Sequence, residues 1–404
     1  MLDWLIIGAG VHGVHLALAL LGGAGVEREH LRLLDPHPSP LGRWRQCSAT
    51  VGMRFMRSPS VHHLDGPPFS LSSFAHERGY QKREFRAPYN RPSTRLFDEH
   101  CDALLTSQRI AELCVRGRAI DLVEVGDRLE VVTETERIAA DRVVLALGSD
   151  RLARPAWVDA LDREGLRLMH VFDDDFDESV LADAERLVVV GGGISSVQFA
   201  LAQSRTRSAP VTLLIRTPLR EAQFDSDPGW LGPLHLDKFR RERDMSQRRA
   251  MIDAARNRGT SSPDVLRELR RAERRGRIVI REAKIIDARV VRQGGVELWP
   301  QAGPILRADR VVLATGFARA RPGIWLDQVI ARLGLPCAAC GYPIVDRALR
   351  WHTQIHVSGA LAELELGPAA RNISGARMAS ERLLEHLCGP RPIPQAQVVR
   401  LGTV

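Results

Sequence analysis

Apolar positions in this chain gather in short runs, and four of those runs end on glycine. Leu5-Ile6-Ile7 is continuous apolar and reads as a strand buried on both faces. Residues 8–13 follow as Gly-Ala-Gly-Val-His-Gly, and residues 14–21 continue as an apolar helix. Residues 31–34 read as the next strand, closed by Asp35. The same order returns later: a strand at 187–190, then Gly-Gly-Gly-Ile-Ser-Ser at 191–196, an apolar helix at 197–202, and a strand at 211–215 that ends on Arg216. Two more strands nearly repeat each other, Asp-Arg-Val-Val-Leu-Ala-Leu-Gly at 141–148 and Asp-Arg-Val-Val-Leu-Ala-Thr-Gly at 309–316. Residues 114–140 alternate as a short antiparallel meander does. Residues 234–276 read as helical, broken at 259–263, where Ser261 or Ser262 can cap the second helix. A last strand at 355–359 and a helix to about residue 387 complete the pattern.

These elements predict an α/β chain with two Rossmann-like dinucleotide-binding domains, one inserted into the other. The expected boundaries are 1–150 for the first part of the outer domain and 151–308 for the inserted domain. The latter carries a helical insertion at about 220–276, and the outer domain resumes at 309–404. Pro155 lies just past the first crossing, as linkers often show.

The first glycine motif stands in its required context of strand, G-x-G-x-x-G, helix, strand and acid. Gly8 permits the tight turn, Gly10 lets a pyrophosphate approach the backbone, and Gly13 lets helix and strand pack closely. The helix then offers unpaired N–H groups and its positive dipole end to phosphates. Asp35 is placed to accept ribose hydroxyls. In the second motif Ser196 replaces the third glycine, which should loosen helix–strand packing. Arg216 stands where the acid would be. An acid repels a 2′-phosphate and an arginine pairs with it, so this half reads as an NADP site, with Arg220 a weaker helper.

At roughly 150 residues per domain, 404 residues make two or three domains with cores of their own. The formal net charge is +8, and only Lys82, Lys238 and Lys284 among 57 basic residues are lysine. The arginines are spread along the chain, and even the dense stretch 240–277 alternates them with acids, so a nucleic-acid partner is not favoured. The longest apolar stretches, such as 16–21, fall far short of a membrane span, and no secretory signal pattern opens the chain. The six cysteines are irregularly spaced, which fits a reducing cytoplasm better than a disulfide framework. Cys337-Ala-Ala-Cys340 has redox spacing, but the flanking prolines and glycine favour a loop with two buried thiols. With His352 and His356 it makes a poor zinc set, and no metal is expected. His62 and His63, adjacent on a loop, read as solvated.

Together these residues resemble the two-dinucleotide-binding-domain flavoproteins, and among them the class B flavin-dependent monooxygenases, nearest to the lysine and ornithine N-hydroxylases. The resemblance rests on residues 8–13, Asp35, Gly42-Arg43-Trp44, residues 191–196 and Ala314-Thr315-Gly316. Residues 53–59 and 68–74 are similar in kind to the stretch along the cleft of those hydroxylases. Disulfide reductases of the superfamily carry Cys-x4-Cys in the segment where this chain has Trp44 and the single Cys47. The spaced Phe and Gly that precede the histidine of a Baeyer–Villiger fingerprint are Glu164 and Leu166 here, before His170.

The resemblance implies FAD and NADPH as cofactors, and molecular oxygen and a small molecule as co-substrates. A C4a-hydroperoxyflavin would oxygenate the substrate, N-hydroxylation of an amine being the subgroup's reaction. It places Gly8, Gly10, Gly13, Asp35, Trp44, Gly316, Gly367, Pro368 and Asn372 at FAD, and Gly191, Gly193, Ser195, Ser196 and Arg216 at NADP. Trp44, Arg54, Arg57 and Asn372 would lie near the isoalloxazine, with the last helix pointing its N-terminus at the flavin. Two other readings stand beside it. One is an NADPH-dependent flavin oxidoreductase passing electrons to a quinone or protein, in which Cys337 and Cys340 would matter. The other is a non-enzymatic flavin-binding redox sensor. A homo-oligomer is compatible with all three.

Overall fold

The computed structural model describes residues 1–291 and 294–389. The first strand, Leu2–Ile7, is flanked in parallel by Leu31–Asp35 and by the far half of Arg137–Leu145. Cys114–Arg116 extends the sheet at one end and Ile355–Val357 at the other, again in parallel. The continuous apolar run has its physical reason here: Leu5 and Ile6 are fully buried and serve cores on opposite faces of this sheet. The alternating stretch forms the expected meander, Ala119–Val125 and Arg128–Thr133 antiparallel to each other and to the start of Arg137–Leu145.

The second unit repeats the plan. Its sheet runs in the order Ile278–Glu282, Val211–Ile215, Leu187–Val190, Arg310–Leu313, Met169–His170, with every neighbouring pair parallel. A three-stranded antiparallel meander, Ile285–Val290, Val296–Pro300 and Leu306–Ala308, precedes its last long strand.

Two expected boundaries move. Arg310–Leu313 belongs to the second sheet, so the outer unit resumes beyond Gly316 and not at 309. The reason is that the two near-repeats are equivalent strands of two sheets, the first ending its meander and the second following one. The two crossings between the units run side by side. Leu152 and Phe317 form an antiparallel bridge, Ala153 N donates to the Gly316 carbonyl at 2.8 Å, and Ala318 N donates to the Arg151 carbonyl at 2.9 Å.

The helical insertion is also shorter than 220–276. Arg220–Glu221 and Thr260–Ser261 pair in parallel, so the excursion begins and ends on one two-stranded staple. Beyond it, Pro263–Arg274 buries Leu269 in the second unit's core as an ordinary crossover helix. Ser262 is its N-cap residue, but the hydroxyl makes no capping hydrogen bond. The helices Pro233–Arg241 and Met245–Ala255 face the other way. Leu236, Phe239 and Ile252 pack with Trp230 against Ala338, Tyr342 and Leu364 of the outer unit. Covering about three large side chains stabilises this contact by roughly 5–9 kcal/mol of transfer free energy before ordering costs. The insertion is thereby a bridge that closes over the end of the outer unit.

Candidate functional site

The first glycine turn is built by steric need at two positions and by open space at the third. Gly8 has φ +109°, and a Cβ there would meet the Ala146 carbonyl oxygen at 2.6 Å. A Cβ on Gly13 would stand 1.7 Å from the Gly8 carbonyl oxygen. Around Gly10 a Cβ would meet nothing within 4 Å, so the protein itself does not require glycine there. The helix Val11–Gly23 starts immediately after, with no side chain capping its N-terminus. Asp35 accepts from Ala9 N at 2.7 Å and from His37 N at 2.9 Å, which fixes the strand end against the turn. Each of its oxygens keeps lone pairs for a further donor.

The second turn repeats this logic. Gly191 has φ +150° and a Cβ there would meet the Ala314 carbonyl oxygen at 2.4 Å. Ser196 does not loosen the packing as expected. It is fully buried, and its hydroxyl donates to the Gly193 carbonyl at 2.8 Å, so the side chain is spent inside the turn and faces no ligand. Ser195 is half-buried on the first turn of the helix Ile194–Thr206, and its hydroxyl has no partner among the described residues. Arg216 is exposed at the end of Val211–Ile215 with no ion pair or hydrogen bond among the described residues, free to meet an anion.

The residues expected near an isoalloxazine divide. Trp44, in the helix Gly42–Thr50, is half-buried, packs against Phe97 with ring centroids 5.7 Å apart and reaches Asp98 through Nε1 at 3.4 Å. Arg54 is exposed and pairs at 3.8 Å with Glu268 of the second unit. Arg57 is committed elsewhere. It donates to Asp225 Oδ1 at 2.5 Å, to Thr260 Oγ1 at 2.8 Å and to the carbonyls of Ala222, Gln223 and Phe224, pinning the insertion's first loop. Gly316 has φ +76° with open space around it. Gly367, at φ +82°, turns the chain into Pro368–Arg371 and then the helix Ile373–Cys388. Asn372 is the N-cap residue of that helix, and its side chain makes no capping bond.

Several residues important to this region went unread in the sequence. His12, inside the first glycine motif, places Nδ1 2.8 Å from Ser358 Oγ and lies against Gly359. Burial, helped by His15, lowers its pKa to about 4, so the imidazole is neutral. Its position within the motif was the only sequence signal. Glu363 is fully buried and is held by Arg249, Arg256 and Arg371, partners 114, 107 and 8 residues away. Spacings of that kind leave no local pattern.

Two loop expectations are corrected. His63 is buried, 5.2 Å from His100 in an edge-on contact, and its Nε2 lies 3.1 Å from the Pro68 carbonyl oxygen. His62 is half-buried, and burial ahead of Arg377 and His63 lowers its pKa to about 4. Neither is a solvated loop histidine: His63 packs on His100, which Phe74 of the helix Ser70–Glu77 also meets edge-on at 5.4 Å. Conversely, Cys340 is exposed and Cys337 half-buried, both as free thiols, in a loop where Ala338 N donates to the Tyr342 carbonyl at 2.9 Å. No cluster of three or more potential metal ligands occurs among the described residues.

Residues 5–150 match a family model described as FAD-NAD(P)-binding. No curated protein sequence matches the chain. Solved structures do. The ornithine N-hydroxylase of Kutzneria sp. 744 is 19% identical with a TM-score of 0.76, covering 96% of this chain and 99% of that one. The ornithine hydroxylase of Pseudomonas aeruginosa is 16% identical, TM-score 0.75, over 96% and 98%. The desferrioxamine-pathway cadaverine monooxygenase of Erwinia amylovora is 17% identical, TM-score 0.73, over 96% and 95%. The fold is that of the two-dinucleotide-binding-domain flavoproteins. No helix among the described residues is long and apolar enough to cross a membrane.

Proposed function

We propose that this chain is an FAD- and NADPH-dependent monooxygenase that hydroxylates the nitrogen of a small-molecule amine. The observation that carries the reading is the pair of glycine turns, each strained where the protein needs glycine, with Gly10 open where a ligand would need it. FAD, when bound, supplies two-electron chemistry with oxygen. The chain's own residues bind and orient. Gly8, Gly10 and Gly13, the N-terminus of Val11–Gly23 and Asp35 would hold the FAD diphosphate and ribose. Gly191, Gly193, Ser195 and Arg216 would hold NADP, with Arg216 on the 2′-phosphate. The N-terminus of Ile373–Cys388 would face the flavin and favour negative charge there. Trp44, Arg57 and Ser196 act from behind, as packing and anchoring groups.

Against electron transfer through a dithiol stands the helix Gly42–Thr50, where Cys47 has no second cysteine and burial pushes its thiol up. The likeness to three amine hydroxylases along 96% of the chain supports oxygen transfer to nitrogen.

The test is stoichiometry. FAD-loaded protein is given NADPH, oxygen and, separately, ornithine, lysine and cadaverine, and hydroxylamine and hydrogen peroxide are quantified per NADPH consumed. Hydroxylamine approaching one per NADPH with any amine supports the reading. Peroxide alone with all amines, together with rapid NADPH-dependent quinone reduction, would replace it with the reductase reading.

A further inference from the structure

Cys337 and Cys340 have redox spacing, and the proposed function leaves them unused. The structure sets them in a hairpin. Ile344 N donates to the Pro336 carbonyl at 2.9 Å, Cys337 and Pro343 form an antiparallel bridge, and Ala338 N donates to the Tyr342 carbonyl at 2.9 Å. Gly341 N closes the turn onto the Ala338 carbonyl at 2.8 Å. Gly341 has φ +77°, the left-handed residue that ends a hairpin loop of this kind. Cys337 and Cys340 stand three positions apart in this reversal. At that spacing a reversing chain brings two Cα atoms within the about 4.4–6.8 Å that a disulfide spans.

The base of the hairpin is anchored and its tip is open. Ala338 and Tyr342 are buried against the insertion, and the Tyr342 hydroxyl donates to the Ala320 carbonyl at 3.0 Å and accepts from Arg371 at 2.7 Å. Residues 339–341 are exposed, with Cys337 half-buried beside them. Burial pushes the Cys337 thiol up, Arg321 opposes this, and Cys340 adds to it. The Arg249 guanidinium lies over the Tyr342 ring, 4.1 Å from its centroid. Its Nη1 donates to Glu363 at 3.1 Å, and its Nε and Nη2 are buried without a hydrogen-bond partner. Cys340 acts on the same guanidinium. A cation beside an attacking sulfur stabilises the charge of the attack.

The other cysteines lack this combination of access and partner. Cys101 is fully buried, and Cys47 and Cys114 are half-buried. Burial pushes all three thiols up, Cys114 to about 11. Cys388 is exposed at the end of the last helix, where it donates to the Gly23 carbonyl at 3.7 Å, and no other cysteine lies on that helix.

We propose that Cys337 and Cys340 are a peroxide-reactive dithiol, with Cys340 the attacking sulfur, Cys337 the resolving one, and hydrogen peroxide the oxidant. The Cys340 thiolate attacks one peroxide oxygen. An S–O bond forms, the O–O bond breaks, and hydroxide leaves and takes up a proton as water. The Cys337 sulfur then attacks the sulfenic sulfur. The S–S bond forms, the S–O bond breaks, and a second water leaves with the Cys337 proton. Two thiols lose two electrons and one peroxide gains them. A dithiol reductant restores the pair. The monooxygenase reading bears on this only as a source of oxidant, because a flavoprotein that uses oxygen without oxygenating its substrate releases peroxide.

Differential alkylation and peptide mass spectrometry test it on the FAD-loaded, full-length protein given hydrogen peroxide without NADPH. Arg332 and Arg347 bracket both cysteines in one tryptic peptide, so the disulfide appears there as a loss of two hydrogens. It should form at least ~10-fold faster than Cys388 is oxidised, the exposed thiol without a resolving partner serving as the internal standard. Cys337→Ser should leave Cys340 as a sulfenic acid that dimedone traps, and Cys340→Ser should leave Cys337 reduced at the same dose. Thermal melts show that the variants are folded. A pair that stays reduced while Cys388 oxidises, or Cys337 oxidising unaided in folded Cys340→Ser, overturns the proposal. Dithiothreitol should reverse the disulfide. Reversal by NADPH under argon would instead couple the pair to the flavin, which replaces the monooxygenase reading with the reductase one and leaves the peroxide reaction standing.

Discussion

Arg371 grips Glu363 with two hydrogen bonds, Nε to Oε1 at 2.5 Å and Nη2 to Oε2 at 2.9 Å, inside a site where the carboxylate has no solvent exposure. Burial alone would raise the Glu363 pKa, but the bond from Arg371 and the charges of Arg371, Arg256 and Arg249 outweigh it and the net direction is down. Removing the acid would leave buried arginines uncompensated. Glu363→Gln should therefore cost about 3–5 kcal/mol, measured by urea denaturation at pH 7. Because the folded pKa is depressed, this stability is present above the unfolded glutamate value near ~4.3 and is lost as pH falls further. The difference between wild type and Glu363→Gln should accordingly narrow below that pH.

The buried histidines act in a higher window. Burial is the leading cause that lowers His12, His15, His100 and His356 to about 4. A base with a depressed folded pKa is neutral in the fold. Its stability is full above the unfolded value near ~6.5 and drains away as pH falls toward ~4, at up to about 1.4 kcal/mol per pH unit for each group. His15 bridges the Leu64 carbonyl at 2.6 Å and Ser380 Oγ at 3.0 Å. Denaturation midpoints from pH 7 to 4.5 should fall steeply for wild type and more gently for His15→Gln, by about one proton. Parallel slopes would show that His15 does not titrate this way.

Gly10 and Gly13 should part company. Gly13→Ala pushes a methyl onto the Gly8 carbonyl and should unfold the turn, lowering both stability and FAD retention. Gly10→Ala meets no protein atom within 4 Å, so the apoprotein should melt within ~0.5 kcal/mol of wild type while FAD binding weakens. Fluorescence titration of apoprotein with FAD, beside thermal melts, checks both. Unchanged FAD affinity in Gly10→Ala would remove the diphosphate from that turn.

Arg216 is exposed and unpartnered, so Arg216→Ala should leave stability alone. If it meets a 2′-phosphate, the KM for NADPH should rise ~10-fold or more while the KM for NADH stays put. Equal rises for both would assign Arg216 a different role.

Arg57 ties five acceptors of the 222–225 loop and Thr260 to the outer unit. Arg57→Met should raise hydrogen exchange across residues 222–260 and leave the sheet strands protected. Uniform loosening of the whole chain would instead place Arg57 in the global folding core.

How much of this was readable in the chain depends on range. Strand runs, glycine turns and the Asp35 and Arg216 signals lie within some thirty residues of each other, and period-two or helical patterning with steric limits at glycine decides them. The inserted topology was readable because two crossing strands carry nearly the same eight residues. The assignment of Arg310–Leu313 to a sheet, by contrast, depends on which strand it pairs with, and Val312 opposite Val189 is a contact that no local pattern encodes. The packing partners of Trp44 and Arg57 follow the same rule, Phe97 and Asp225 arriving from elsewhere in the chain. The Glu363 cluster is the extreme case. Its arginines are indistinguishable by sequence from dozens of solvated ones, and only the packing of the insertion onto Tyr342 and Leu364 removes water from them. Local backbone sterics and hydrophobic periodicity thus determined the two dinucleotide folds, while desolvation, which exists only once distant segments meet, decided where the charges act.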